Sequence, residues 1–384
     1  MPDLTAKTST ADPMVHWIEN DQSHSARWRS ESAMPPPNRV IIADDTTSAD
    51  TAWRLACEGT SLLWRGDFQN GRQLLQAMAR RIDRKKKRGP AAAAVDAFNM
   101  HRQAQSQRAR TLAMLLLPFE PGHRLPLRRA PDVQAACEQV YGSATLPYVA
   151  SMRELLGLIG AHEWRKNGLE VAELGAKIYP HYGVFAPVRG EYVGLVNDTP
   201  LPAARVAFDI GTGTGVLAAV LAKRGLNHVI GTDQDPRAMT CARENIQRLG
   251  YAKQVQIIAA DLFPPGRAGL IVCNPPWLPA RPASPIEYAV YDPDSRMLRG
   301  FLNGLCAHLE PGGEGWLILS DLAEHLGLRS RASLLALIDA AALQVRGRSD
   351  VRPVHPRASD VTDPLYAARS IEVTSLWRLT VRDT

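Results

Sequence analysis

The sequence predicts an α/β chain, with a doubly wound parallel sheet in its carboxy-terminal half and a mostly α-helical domain before it. Three observations carry this. The segment Arg205–Gly215 (RVAFDIGTGTG) runs from apolar residues into glycines alternating with threonines, and apolar residues then return at helical spacing. Downstream, short apolar runs alternate with amphipathic helices, the pattern of a parallel sheet covered on both faces. Upstream, from Thr51 to Ile159, apolar residues recur mainly at spacings of three and four. A chain of 384 residues exceeds one ordinary domain, so two domains are expected.

Residues 1–48 are polar, include Pro35, Pro36 and Pro37, and lack periodicity, so a flexible arm is expected there. A helical substrate-recognition domain is expected over residues 49–175. Within it, Trp53, Leu55, Leu62, Leu63, Leu74, Leu75, Met78 and Ile82 read as two amphipathic helices broken near Gly66 and Gly71. The densest positive run, RRIDRKKKRGP (Arg80 to Pro90), follows. It reads as a solvated helix end, or as a phosphate-contacting patch, without aromatic residues for base recognition. Helices are expected over 91–117, 133–141, 147–159 and around 169–176, and the prolines and glycines of 179–190 end that run.

The second domain is expected over residues 176–384. Val206, Phe208 and Ile210 have the composition of a buried strand, and Val216, Leu217, Val220 and Leu221 that of a helix behind a glycine turn. A second strand, 228–232, ends at Asp233; Asp235 and Pro236 then supply an N-cap and a first-turn proline for an amphipathic helix. A third strand, 255–259, ends at Asp261 with Leu262 after it, and a fourth, 269–273, ends at Asn274-Pro275-Pro276-Trp277. A helix over 296–309, a strand over 315–319 and a closing strand within 371–381 complete the sheet.

Spacing narrows the ligand. A dinucleotide fingerprint needs a third glycine where Val216 stands, and a P-loop needs a Gly-Lys-Ser/Thr triplet that is absent here. In doubly wound sheets ligands sit at the carboxyl ends of strands. Asp233, twenty-two positions after Gly211, suits two ribose hydroxyls, and Asp261 with Leu262 suits an adenine amino group and ring. Asn274-Pro275-Pro276-Trp277 suits a planar nitrogen, whose delocalised lone pair makes it a poor nucleophile. If the Asn274 side-chain oxygen and the Pro275 carbonyl each accept one of its N–H bonds, the lone pair can localise. The prolines fix the loop, and Trp277 offers a flat stacking surface.

Asp209-x-Gly211-x-Gly213-x-Gly215 together with Asn274-Pro275-Pro276-Trp277 resembles the Asn-Pro-Pro-aromatic branch of class I S-adenosylmethionine-dependent methyltransferases, over roughly residues 182–320. The resemblance implies a seven-stranded Rossmann-like sheet, S-adenosylmethionine as cofactor and N-methylation of a protein glutamine or a nucleobase. It further resembles the HemK type and the methyltransferase small domain through Pro187–Val193. There Phe185 and Glu191 would border cofactor or substrate, although Trp277 stands where tyrosine is usual. A small-molecule acceptor and a non-catalytic S-adenosylmethionine- or RNA-binding module are the alternatives.

A net charge of +6 and a pI near 9.1 suit an RNA or ribosome-associated partner without requiring one. The five cysteines form no Cys-x-x-Cys pair, so neither a metal site nor a disulfide framework is expected. The longest apolar run, Leu112–Leu117, is too short to span a bilayer, and a cytoplasmic location is expected. His181, His308 and His355 show no triad or metal spacing.

Overall fold

The computed structural model describes residues 13–84, 93–282, 285–354 and 360–382. These fall into two compact units, one holding the residues up to 84 and 103–162, the other 93–102 and everything from 163 onward.

The amino-terminal unit is itself α/β. Its elements are β1 (Met14–Glu19), β2 (Gln22–Trp28), β3 (Val40–Ala43), α1 (Ala49–Cys57), β4 (Ser61–Trp64) and α2 (Phe68–Arg84). They continue through α3 (Ala94–Ala113), β5 (Leu115–Phe119), α4 (Gln134–Tyr141), β6 (Tyr148–Ser151) and α5 (Met152–Asn167). Helices α3 and α5 each run from one unit into the other. The six strands form one mixed sheet in the order β1-β2-β6-β5-β4-β3.

This corrects two expectations. The arm expected over 1–48 is, over its described part, three strands, with Val15, Ala26 and Trp28 packed on Leu63, Leu116 and Val149. The domain expected to be mostly helical contains a sheet as well. Leu115–Phe119 and Ser61–Trp64 are buried at every position, so their apolar runs carry no period that separates strand from helix. The hairpin hid itself differently, because its outward row (Met14, His16, Ile18) is as apolar as its inward one. Of the basic run, Arg81 pairs with Asp50 at the end of α2, and residues 85–90 lie outside the described residues.

The carboxy-terminal unit continues with a short antiparallel pair, β7 (Leu169–Val171) and β8 (Ala176–Ile178), where a helix is expected. Next come α6 (Glu191–Asp198), β9 (Val206–Ile210), α7 (Val216–Lys223), β10 (His228–Asp233), α8 (Pro236–Arg248), β11 (Val255–Ala259) and β12 (Ala268–Cys273). The remainder is α9 (Arg296–His308), β13 (Leu309–Ser320), α10 (Leu322–His325), α11 (Arg331–Ala340), β14 (Leu343–Val351), α12 (Tyr366–Arg369) and β15 (Thr374–Val381). The seven-stranded sheet runs β11-β10-β9-β12-β13-β15-β14, with β15 antiparallel to both neighbours.

Both faces are covered, as the doubly wound reading requires. Val193, Val196, Leu217, Leu221 and Ile246 pack against Val229, Leu270 and Trp316 on one side. Leu298, Phe301, Leu305 and Leu334 pack against Phe208, Ile210 and Leu317 on the other. Parallel register sets Ile210 beside Thr232 and Cys273. Gly211, Asp233 and Asn274 therefore leave their strands at one edge, where the chain order reverses between β9 and β12.

Because Val15 is 1% exposed, Val15→Asp is expected to destabilise the protein by about 3 kcal/mol or more. Denaturant unfolding checks this, and a flexible arm would leave the variant as stable as the parent.

Candidate active site

The glycine turn is held by backbone geometry and one buried carboxylate. Gly211, Gly213 and Gly215 have φ of 70°, 55° and 80°, the left-handed region that disfavours side chains. At Gly215 a Cβ would also meet Ala242 at 3.3 Å. Asp209, 1% exposed, accepts from the Thr212 hydroxyl at 2.6 Å and the Ala218 amide at 3.1 Å, tying strand end, turn and first helical turn together. Burial pushes its carboxyl up to about 6, against those two donors. Asn245 of α8 braces the far side, donating to the Thr214 carbonyl at 3.0 Å and accepting from the Tyr179 amide at 2.8 Å.

Asp233 stands at the mouth of this turn. Its Oδ2 accepts from the Gly213 amide and its Oδ1 from the Asp235 amide, each at 3.0 Å. The Gln234 amide also bonds this carboxylate, and the half-buried residue keeps acceptor capacity toward the turn. Burial raises its carboxyl above the usual range. Asp261 is exposed and paired with Arg296 at 2.5 Å. Leu262 takes a φ of 80°, and its carbonyl accepts from the Thr232 hydroxyl at 2.6 Å.

At the end of β12, Pro275 is buried and Asn274, Pro276 and Trp277 are half-buried. The Trp277 indole N–H donates to Asn274 Oδ1 at 2.9 Å. The indole can only donate, so the amide oxygen must face it, which sets the side-chain orientation. Asn274 thus presents an oriented acceptor with one lone pair engaged. Arg189 stands 5.5 Å from the centre of the Trp277 rings and bonds Glu191 at 3.0 Å and Glu372 at 3.1 Å. Phe185 is 40% exposed, two residues before Pro187 on the same loop.

The stretch after Trp277 is braced from behind. Leu278 bridges to Tyr291, and the Asp292 carboxylate accepts from the amides of Met297 and Leu298 at 3.0 and 3.1 Å, opening α9. Arg102, on the part of α3 in this unit, lies 4.2 Å from the Tyr291 ring centre. Among the described residues no cluster of three or more His, Cys, Asp or Glu has metal-binding geometry, and no helix is long and apolar enough to cross a membrane.

The edge thus gathers Asp209, the three glycines, Asp233 and the Asn274–Trp277 loop, while Asp261 and Leu262 follow the neighbouring strand, with Asp261 turned to Arg296. Sequence reading passed over Asn245, Glu372 and Ser320, and it took Arg189 only as part of the segment Pro187–Val193. Asn245 alone left a signal, a polar residue in phase with the apolar face made by Cys241, Ala242 and Ile246.

A turn of left-handed glycines and a shared acidic edge lie at the reversal point, the place where doubly wound domains bind ligands. Residues 178–329 match the family model of the methyltransferase small domain. The chain is 31% identical to a release factor glutamine methyltransferase of Cereibacter sphaeroides over 40% of its own length and 58% of that protein's. It is 29% identical to a ribosomal protein L11 methyltransferase of Pelotomaculum thermopropionicum over 44% of its length and 55% of that protein's. It therefore spans little more than half of each. Among solved structures, a methyltransferase from Pyrococcus furiosus aligns with 58% of this chain and 98% of its own at 18% identity and a TM-score of 0.40.

Asp209 gives a pH test. Its folded pKa, about 6, lies above the ordinary 3.8. The stability it lends is therefore full below about pH 3.8 and lost as pH rises through 6. Asp209→Asn removes the titration. Relative to the parent, its stability should rise between pH 4 and pH 6.5 by an amount on the order of 2–3 kcal/mol. Melting curves across that range check this, and a flat difference refutes it.

Proposed function

We propose that this chain transfers a methyl group from S-adenosylmethionine to a planar amide nitrogen of a protein in the translation apparatus. The observation that carries the reading is the Asn274-Pro275-Pro276-Trp277 loop, which leaves β12 level with the start of the glycine turn because Cys273 pairs with Ile210. The residues suit the cofactor. Three positive-φ glycines leave the turn free of Cβ atoms, and Asp233 keeps acceptor capacity for ribose hydroxyls. Asp261 would take the adenine amino group if it exchanged Arg296 for that partner, with Leu262 against the ring. Phe185, on the loop before α6, and Glu191, the first residue of α6, would border cofactor or substrate.

Bound there, the cofactor supplies an electrophilic methyl on a sulfonium. The chain's part is alignment. The open lone pair of Asn274 Oδ1 and the Pro275 carbonyl take the two N–H bonds of the acceptor amide, which localises its nitrogen lone pair. Buried Pro275 and its neighbour hold those acceptors rigid, and Trp277 bounds the plane in which the amide lies. Rate comes from this orientation for in-line displacement and from acceptors set in advance; once methylated, the nitrogen would release one of its N–H protons to solvent, so no strong base is needed.

The named relatives include one that modifies release factors and one that modifies ribosomal protein L11, which supports a protein acceptor. Nucleobase methylation is a second reading, favoured by the basic run Arg80–Arg88 and the pI near 9.1.

Calorimetry should show S-adenosylmethionine binding that Asp233→Ala weakens at least tenfold, roughly 1.4 kcal/mol. Undiminished affinity in that variant overturns the cofactor assignment. Asn274→Ala should keep binding and lower the transfer rate by about a hundredfold or more, because its acceptor acts mainly in the transition state. Tritiated S-adenosylmethionine added to lysate from cells lacking the gene separates the acceptors. Label that survives RNase and is lost to protease supports the protein; label lost to RNase supports RNA.

A further inference from the structure

We propose that Arg189 is a positioning residue for the acceptor loop: clamped between Glu191 and Glu372, it holds the Trp277 indole so that its N–H orients Asn274. The proposal rests on the methyltransferase reading, because it assigns the purpose of the orientation to acceptor binding.

Each link is a direct contact. Arg189 Nε donates to Glu191 Oε1 at 3.0 Å, and a terminal nitrogen donates to Glu372 Oε1 at 3.1 Å. The two carboxylate side chains are 4% and 2% exposed, whereas the arginine is 24% exposed. Charge-assisted bonds in so dry a setting fix the guanidinium far better than a surface ion pair would. Glu372 is itself held by the Ser320 hydroxyl at 2.6 Å, and Ser320 accepts from the Leu322 amide at 3.0 Å. The clamp thereby joins the loop before α6, the end of β13 and the approach to β15, which pair at Ser320 and Thr374.

The consequence falls on Trp277. A cation 5.5 Å from an indole centre attracts the ring face electrostatically and disfavours its rotation. With the ring held, its N–H stays on Asn274 Oδ1 at 2.9 Å, and the amide cannot flip to present its NH2 group to the acceptor. A flipped amide would offer a donor where the acceptor nitrogen also brings donors. This also gives tryptophan a property that no tyrosine at position 277 would reproduce, an indole N–H in the ring plane aimed at the preceding asparagine. The three buried-side charges sum to a net negative cluster beside the indole, which favours positive charge developing on the methylated nitrogen.

The test uses full-length protein labelled with 15N-tryptophan. The chain has eight tryptophans, and the Trp277 indole cross-peak is the one lost in Trp277→Phe. Arg189→Lys keeps the charge but loses the two-armed bridge; Glu372→Gln keeps a partner for Ser320 and removes one buried charge. In both, the Trp277 cross-peak is expected to shift or double. Initial rates of tritium transfer from saturating S-adenosylmethionine into the acid-precipitable fraction of the same lysate should fall about tenfold, with the Kd for S-adenosylmethionine within twofold of the parent. Trp277→Phe, which keeps a ring face and loses the N–H, should show the same loss of rate. A cross-peak unmoved by both clamp variants, or Trp277→Phe with the parental rate, overturns the proposal. A variant that merely loses melting temperature, with cross-peak and rate unchanged, overturns it too. Parent protein that binds no S-adenosylmethionine would instead sink the methyltransferase reading, and the cross-peak would still decide whether the clamp holds the indole.

Discussion

The buried carboxylate of Asp209 is the constraint on which the rest of the site depends. It is the last polar group of a strand otherwise packed into the core, and it spends two side-chain hydrogen bonds on the turn that follows: one on the Thr212 side chain and one on the first turn of α7. Three residues with positive φ are conformationally free in an unfolded chain, so a turn built from them has to be held from outside. Asp209 from below and Asn245 from the side do this, and the Thr212 amide N–H donates a hydrogen bond to the Thr232 carbonyl on the neighbouring strand. Asp233 then closes the arrangement by accepting from the Gly213 amide.

The sheet transmits that local order to the acceptor side. Cys273 lies beside Ile210 in parallel register, so the loop beginning at Asn274 starts level with the glycine turn. A parallel ladder fixes such a juxtaposition rigidly, since a slip of one residue would exchange the two buried faces. Phe208 and Ile210 on one face and Ala207 on the other leave no register in which both cores still fill. Loop geometry is thus inherited from side-chain packing well below the site. Two further groups add the remaining restraint: Arg189, before α6, bonded to Glu191 and Glu372, and the Asp292 cap at the start of α9.

The amino-terminal unit shows where sequence patterns lose their meaning. Its helices α1, α2 and α4 carry one apolar face each and were legible as helices. Its strands were not, because β4, β5 and β6 are buried throughout and lose the alternation that marks a half-exposed strand. The Pro-rich stretch after β2 reads as a flexible arm only while its neighbours are unknown; Trp28 donates to the Met34 carbonyl at 2.7 Å and ties it back onto the sheet. In the second unit, strand, turn and helix alternate with strong punctuation, and Asp235-Pro236 and the glycine turn mark boundaries that the structure keeps.

By itself, the sequence determined the doubly wound half of this protein and the residue types at its active edge. Left-handed turns demand glycine, helix starts demand caps, and two-sided burial demands apolar runs, and each demand is written locally. What only the tertiary structure decided is which groups meet. Arg189 and Glu372 are 183 residues apart, Asn245 reaches Thr214 across 31, and the orientation of the Asn274 amide follows from a donor that points at it. No local pattern records such pairings, because they arise from the packing of separate elements and carry no period along the chain.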